Sequence, residues 1–439
     1  MHLTAVVKFL KTLDEFDVAK NVLDTFAKYA NSLQHYDELA MLYQEIKDYG
    51  SSIKMLQKCI SVANNAEMYG IRANLAKVLN HSNDPQRALE YSLMNLEVDP
   101  NNYDTVMEIS FSYYLMGDKE KSYQIQSELL DKDIETELKK RIMYNMGTFQ
   151  MERGKFKEGI RNMIMGGRGL GIWPPMNKPI PKWDGMSNDK TLVIYGEAGI
   201  GDEIINVRFS NELNKRNIKH IWVSLRKDLS EIFNYSGIKS IHSSVNLDPT
   251  EEYVFLEAMS LPIYLELEET QLWNGPYLKP KQQYIDKWKS ILPENFITLR
   301  WSGNPYYDQD LHRFIERDIL VDRFAKFNLP MVSLQIDKKN EDSRLIDVDI
   351  KSWEDTLAIQ YIAKANITSC TSTAHSAAAM DVNTIIIPPI ATYYPWLTMR
   401  DKVHSYWYGD KAVLFAQTEH KNWTTPVNQA AEYFENNIL

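Results

Sequence analysis

Three short segments carry residue types that can do chemistry together. The first is Gly196-Glu197-Ala198-Gly199-Ile200-Gly201-Asp202-Glu203, which follows the apolar run Leu192-Val193-Ile194-Tyr195. Ile204, Ile205, Phe209 and Leu213 come after it at helical spacing. A strand that enters a helix through glycines makes a tight turn, and Gly199 and Gly201 let a ligand approach the backbone closely. Asp202 at the helix start reads either as a helix cap or as a carboxylate aimed at a ligand. The second segment is Arg300-Trp301-Ser302-Gly303-Asn304-Pro305, after the strand-like Phe296-Ile297-Thr298-Leu299. Ser302, Gly303 and Asn304 leave a strand end and offer backbone and side-chain donors to phosphate. The third is Ser369-Cys370-Thr371-Ser372-Thr373-Ala374-His375, opening an alanine-rich helix that runs to Met380. Hydroxyls at a helix start make an anion site.

Two kinds of element must position these segments. Residues 1–165 hold few prolines and read as short amphipathic helices with an internal repeat. A small residue recurs at Ala19, Ser52, Ala88, Ser122 and Gly159, in steps of 33, 36, 34 and 37 residues. A turn residue, Gly or Asn, stands about five positions before several of them. Such helix pairs cannot bury their apolar faces singly, and stacking them leaves a concave groove. Residues 166–189 read as a linker, because Gly166-Gly167-Arg168-Gly169 ends a helix and Pro174, Pro175, Pro179 and Pro181 forbid another. From Thr191 apolar strands alternate with amphipathic helices, which predicts parallel sheets in two doubly wound halves, 190–285 and 286–439. Further strands are expected at 220–225, 253–256, 331–334, 365–368 and 384–387. Gly275-Pro276-Tyr277-Leu278-Lys279-Pro280 is the expected joint.

Composition narrows the classes. Hydrophobic residues are 44% and charged residues 25%, which excludes disordered and fibrous chains. No apolar run approaches the ~18–20 residues of a membrane-spanning helix, and no signal-peptide pattern opens the chain. With Cys59 and Cys370 as the two cysteines, no disulfide framework or cysteine-rich zinc site can form. A cytoplasmic location is expected. The net charge of −10 disfavours non-specific binding to duplex nucleic acid. Asp308-Gln309-Asp310 and Asp347-Val348-Asp349 are formal metal-type triplets, but neither follows a convincing donor-site strand, and no metal is expected.

The ordered motifs resemble the glycosyltransferase domain of tetratricopeptide-linked glycosyltransferases, relatives of the bacterial heptosyltransferases (glycosyltransferase family 9-like). The resemblance covers about residues 181–423. It rests on Pro181-Lys182-Trp183-Asp184-Gly185, the Glu197–Asp202 turn, Met259-Ser260-Leu261-Pro262, Pro276-Tyr277-Leu278, Arg300–Pro305, Val332-Ser333-Leu334-Gln335, Ser369–His375, Tyr394-Pro395-Trp396 and Ser405-Tyr406-Trp407-Tyr408. It implies a GT-B fold of two Rossmann-like halves and inverting, metal-independent transfer from a nucleotide-sugar to an acceptor hydroxyl. Transfer needs a base for that hydroxyl and stabilisation of the leaving diphosphate. The resemblance makes Asp202 the base, although a helix N-terminus favours the charged carboxylate and so weakens it; Glu197 is the second candidate.

The resemblance further places the donor near Gly199, Gly201, Ser302, Gly303, Asn304, Gln335, Thr371, Ser372, Thr373 and His375, with Arg313 and Arg317 as candidates to neutralise the diphosphate. Trp396 is a candidate stacking surface for sugar or base. Cys370 stands where the family has an aspartate. That departure favours the alternative class, a catalytically inactive GT-B-like scaffold binding proteins through its repeats. The repeats are expected to recruit the acceptor (a protein, a glycan, a lipid-linked sugar or a modified nucleobase) or a partner protein.

Overall fold

The protein is described by a computed structural model over residues 3–186, 189–304, 310–335 and 342–439. Tyr306, Tyr307, Asp308 and Gln309 lie outside the described residues. The chain divides into two compact units: residues 1–134 with 304–312, and residues 135–303 with 313–439.

The first unit is helical. Its helices are α1 (Leu3–Thr12), α2 (Phe16–Ala27), α3 (Leu33–Glu45), α4 (Tyr49–Val62), α5 (Met68–His81), α6 (Pro85–Val98), α7 (Tyr103–Leu115) and α8 (Lys119–Leu130). The recurring small residues Ala19, Ser52, Ala88 and Ser122 are all fully buried, where a larger side chain would hold the paired helices apart. Ser52 Oγ donates to the Ala40 carbonyl at 2.9 Å, so its polar atom is satisfied inside the pair. Five positions before each small residue stands one with positive φ: Asp14, Lys47, Asn83, Gly117, and Gly154 in the second unit. That backbone state turns one helix into its partner. Asp14 and Lys47 adopt it despite costing about 1 kcal/mol there, so the turn is set by the repeat and not only by residue type.

The second unit begins with one more helix pair, α9 (Thr136–Glu152) and α10 (Phe156–Gly169). The glycines expected to end this helix at 166 instead lie within it. A Cβ on Gly159 would meet the Gly147 carbonyl at 2.6 Å, and one on Gly166 would meet the Tyr144 amide nitrogen at 2.6 Å. The glycines are therefore the contact face of two closely packed helices.

Next come the strands β1 (Thr191–Tyr195), β2 (His220–Ser224), β3 (Ser240–His242), β4 (Tyr253–Glu257), β5 (Ile297–Arg300), β6 (Met331–Ser333), β7 (Leu345–Asp347), β8 (Ala365–Ser369), β9 (Thr384–Ile387) and β10 (Ala412–Leu414). They form two wholly parallel sheets, ordered β3-β2-β1-β4 and β10-β9-β8-β5-β6-β7. The second has the complete doubly wound order and the first has its inner part. The short edge strands β3, β7 and β10 escape sequence reading, whereas the equally short β6, inside the sheet, is the strand expected at 331–334. Every named strand seen in the sequence is present.

Between the sheets lie α11 (Ile200–Asn206) and α12 (Ser372–Ala379), which pack against one another. Ile204 and Ile205 of α11 share one apolar core with Ala374 and Ala378 of α12, Trp396, Trp407 and Tyr408. The fold is thus a helical-repeat region followed by an α/β region of two Rossmann-like halves.

Candidate functional site

In a doubly wound sheet, ligands sit beyond the carboxyl ends of the strands where the order reverses. In the first sheet that point lies between β1 and β4, and in the second between β5 and β8. The Gly196–Asp202 turn leaves β1, the Arg300–Asn304 segment leaves β5, and the Cys370–Thr371 turn leaves β8 into α12. The three sequence segments therefore emerge at the two switch points. A Cβ on Gly201 would lie 3.6 Å from Ser372 Cα and 3.1 Å from His375 Cδ2, so α11 opens directly against the first turn of α12.

Asp202 is not the helix cap. Gly199 is, and Asp202 lies three positions on, where its Oδ2 accepts the Gly199 amide at 2.9 Å. Its Oδ1 is buried with no hydrogen-bond partner among the described residues. Burial, with the charges of Glu197 and Glu203 adding and the Gly199 amide opposing, pushes its carboxyl up to about 7. The expectation that the helix start would hold this carboxylate charged is reversed, because desolvation outweighs the helix dipole. Ala198, just before it, holds φ 61°, a left-handed state unusual for alanine.

Glu197 is corrected as a second base. Its oxygens receive Arg168 of α10 at 2.8 and 3.0 Å, and Oε1 also accepts the Met259 amide at 3.0 Å. Both charged groups are nearly buried, so the pair is an anchor that ties α10 and the chain after β4 to the Gly196–Asp202 turn. Arg168 also donates to Ser260 Oγ.

On the second sheet, Gln335 Nε2 donates to Ser302 Oγ at 2.6 Å, and Arg300 Nε holds the Ser302 carbonyl at 3.0 Å. Gly303 follows them, and Asn304 is exposed and falls with the first unit. Arg313 is brought to the start of α12, donating to the Cys370 carbonyl at 3.2 Å while its own carbonyl accepts Ser369 Oγ at 2.6 Å. Arg317 is not brought there and pairs with its neighbour Asp318. Thr371 caps α12, and its hydroxyl meets Thr373 Oγ1 at 2.7 Å instead of a backbone amide of the first turn.

His375 is buried, with Nδ1 2.7 Å from Tyr408 Oη. Burial, reinforced by the charges of Arg208 and Arg313, holds its pKa well below 6.5, so the ring is neutral. Trp396 is corrected as a ligand-stacking surface: it is buried, with its ring stacked on His375 at 4.7 Å and 7°.

Sequence reading missed Arg168, Arg208 and Tyr144. Tyr144 of α9 has its hydroxyl pushed up to about 12 by burial and by the nearby Asp202 charge. Arg208 had one visible signal, a lone cation in the apolar helical run Ile204–Phe209.

By fold, the class is a tetratricopeptide-like repeat region followed by a GT-B-like pair of sheets. No family model matches the chain, and no curated protein matches it. Among solved structures it is similar to a variant of the Thermobaculum terrenum O-GlcNAc transferase at 10% identity, covering 98% of this chain and 88% of that one, with a TM-score of 0.39. It is similar to the dodecameric iron-containing heptosyltransferase TibC, solved with ADP-D-beta-D-heptose, at 10% identity, covering 59% and 78%, with a TM-score of 0.40. It is also similar to MamA at 15% identity, covering 38% and 95%, with a TM-score of 0.29. These are similarities of arrangement at low identity, and what the chain does is read from its own residues. No helix among the described residues is long and apolar enough to cross a membrane.

Proposed function

We propose that this protein is an inverting glycosyltransferase that moves a sugar from a nucleotide-diphosphate donor to an acceptor hydroxyl. The observation that carries the reading is Asp202: a carboxylate with one buried, unpartnered oxygen and a proton affinity raised to about 7, on a turn that opens against an anion-suited helix start. A general base serves best when its pKa lies near the working pH.

In the proposed reaction Asp202 takes the acceptor proton as the acceptor oxygen bonds to the anomeric carbon. The bond from that carbon to the diphosphate oxygen breaks on the opposite face, and the pair of electrons leaves with the diphosphate. The start of α12, His375 and Arg313 take up the growing negative charge, so no divalent cation is called for. The repeats recruit the acceptor or a partner protein.

The test is incubation of the full chain with a panel of radiolabelled nucleotide-sugars. Transfer or donor hydrolysis is expected, rising with pH through about 7 and unaffected by EDTA. The Asp202→Asn variant should lose about 10²-fold or more. An Asp202→Asn variant as active as the parent sinks the assignment.

A further inference from the structure

Behind His375 runs a buried polar chain that the proposed reaction leaves unused. Arg208 is 4% exposed and makes no ion pair with a carboxylate among the described residues. Its Nε donates to the Ile205 carbonyl at 2.7 Å, Nη1 to the carbonyls of Leu272 and Trp407, and Nη2 to Tyr277 Oη at 2.9 Å. The guanidinium lies 4.4 Å from the centre of the Tyr408 ring and 5.0 Å from that of Tyr277. Tyr408 Oη in turn lies 2.7 Å from His375 Nδ1. Burial raises the proton affinity of both phenols and Arg208 opposes it, through charge and hydrogen bonding.

Heavy-atom positions do not say which partner donates between Tyr408 and His375. The chemistry of the chain does. A guanidinium has donors only, so it faces the oxygen side of each phenol. Tyr277, which accepts from Arg208, also hydrogen-bonds Tyr408; with the cation on its oxygen it turns its own proton to Tyr408, and the Tyr408 proton then points to Nδ1 of His375. A neutral imidazole that accepts at Nδ1 carries its proton on Nε2. Nε2 makes no hydrogen bond among the described residues and lies on the ring edge facing α11, 3.8 Å from where a Gly201 Cβ would stand. The other surroundings hold this state. Trp396 covers one face, Tyr393 lies edge-on at 6.3 Å, and the cations near the ring, Arg208 and Arg313, disfavour a second proton.

We propose that Arg208, Tyr277 and Tyr408 are positioning residues that lock His375 as the neutral Nε2–H tautomer, so that it presents one fixed donor at the start of α12. The role of that donor, toward an oxygen of the leaving diphosphate, rests on the function proposed above; the tautomer does not. A neutral donor suits the task, since its bond strengthens only as charge collects on the departing oxygen.

The test is long-range proton–nitrogen correlation on the full chain labelled with ¹⁵N-histidine, with His375 assigned from a His375→Gln sample. The wild type should show Nε2 protonated and Nδ1 bare, unchanged from pH 8 to pH 5. Tyr408→Phe should release the ring into mixed tautomers. Tyr277→Phe, which leaves Arg208 its carbonyl partners, should move it the same way by less. Near-ultraviolet circular dichroism confirms that each variant is folded. A wild-type ring protonated at Nδ1, or ring nitrogens unmoved in both variants, overturns the lock. Added uridine, guanosine or adenosine diphosphate should shift Nε2. If none does while the tautomer pattern holds, the donor reading of the site is what fails, and the lock stands.

Discussion

Replacing Asp202 with asparagine should stabilise the protein, and the gain should grow with pH. The carboxyl lies at about 7 in the folded state against a model value of 3.8. Between those values the folded state binds more protons than the unfolded chain, so stability falls as pH rises. A shift of ~3 units at ~1.4 kcal/mol each sets a ceiling of about 4 kcal/mol, and the solvent contact left to Asp202 brings this to roughly 2–4 kcal/mol. The unfolded carboxyl is already largely ionised at pH 5, so the part gained between pH 5 and pH 8 is about 2 kcal/mol. Asparagine is uncharged at both pH values and keeps an oxygen for the Gly199 amide, so the variant should lack this slope. All ten tryptophans lie between Trp173 and Trp423, in the second unit, so urea unfolding followed by tryptophan fluorescence reports the relevant part of the chain. If Asp202→Asn is less stable than the parent at pH 8, or the difference between them is the same at both pH values, the argument from desolvation is wrong.

Arg168→Met should strand the Glu197 carboxylate in a buried site and cost about 3–5 kcal/mol in the same unfolding assay, whereas the double variant Arg168→Met with Glu197→Gln should recover much of it. In the double variant the Glu197 charge that raises the Asp202 carboxyl is gone, so the rise of transfer rate with pH should move to lower pH. Ala198→Gly removes a left-handed alanine and should raise stability by roughly 0.5–1 kcal/mol in urea, with any loss of rate measuring how much the strained turn matters for placing Asp202.

The repeat was legible because it is local. A small residue every 33 to 37 positions is written in the chain, and Ala19, Ser52, Ala88 and Ser122 are buried as that spacing requires. The central strands were legible for the same reason, being continuous apolar runs, whereas the edge strands β3, β7 and β10 were not. At the site, residue type and order marked the Gly196–Asp202 turn and the Thr371–His375 helix start. They also put Glu197, Trp396 and Arg317 forward as site residues, which the structure assigns to an ion pair, a buried stack and a neighbouring aspartate.

The sequence by itself determined the two kinds of architecture and the three loops that carry polar chemistry, because turns, periodicity and helix starts depend on residues a few positions apart. Tertiary structure decided which of those polar groups are available to a ligand. Arg168 meets Glu197 across 29 positions, and Arg208 meets Trp407 across 199. Burial then sets the outcome: Glu197, which meets a cation, becomes an anchor, and Asp202, which meets one backbone amide and no cation, is left with a raised proton affinity.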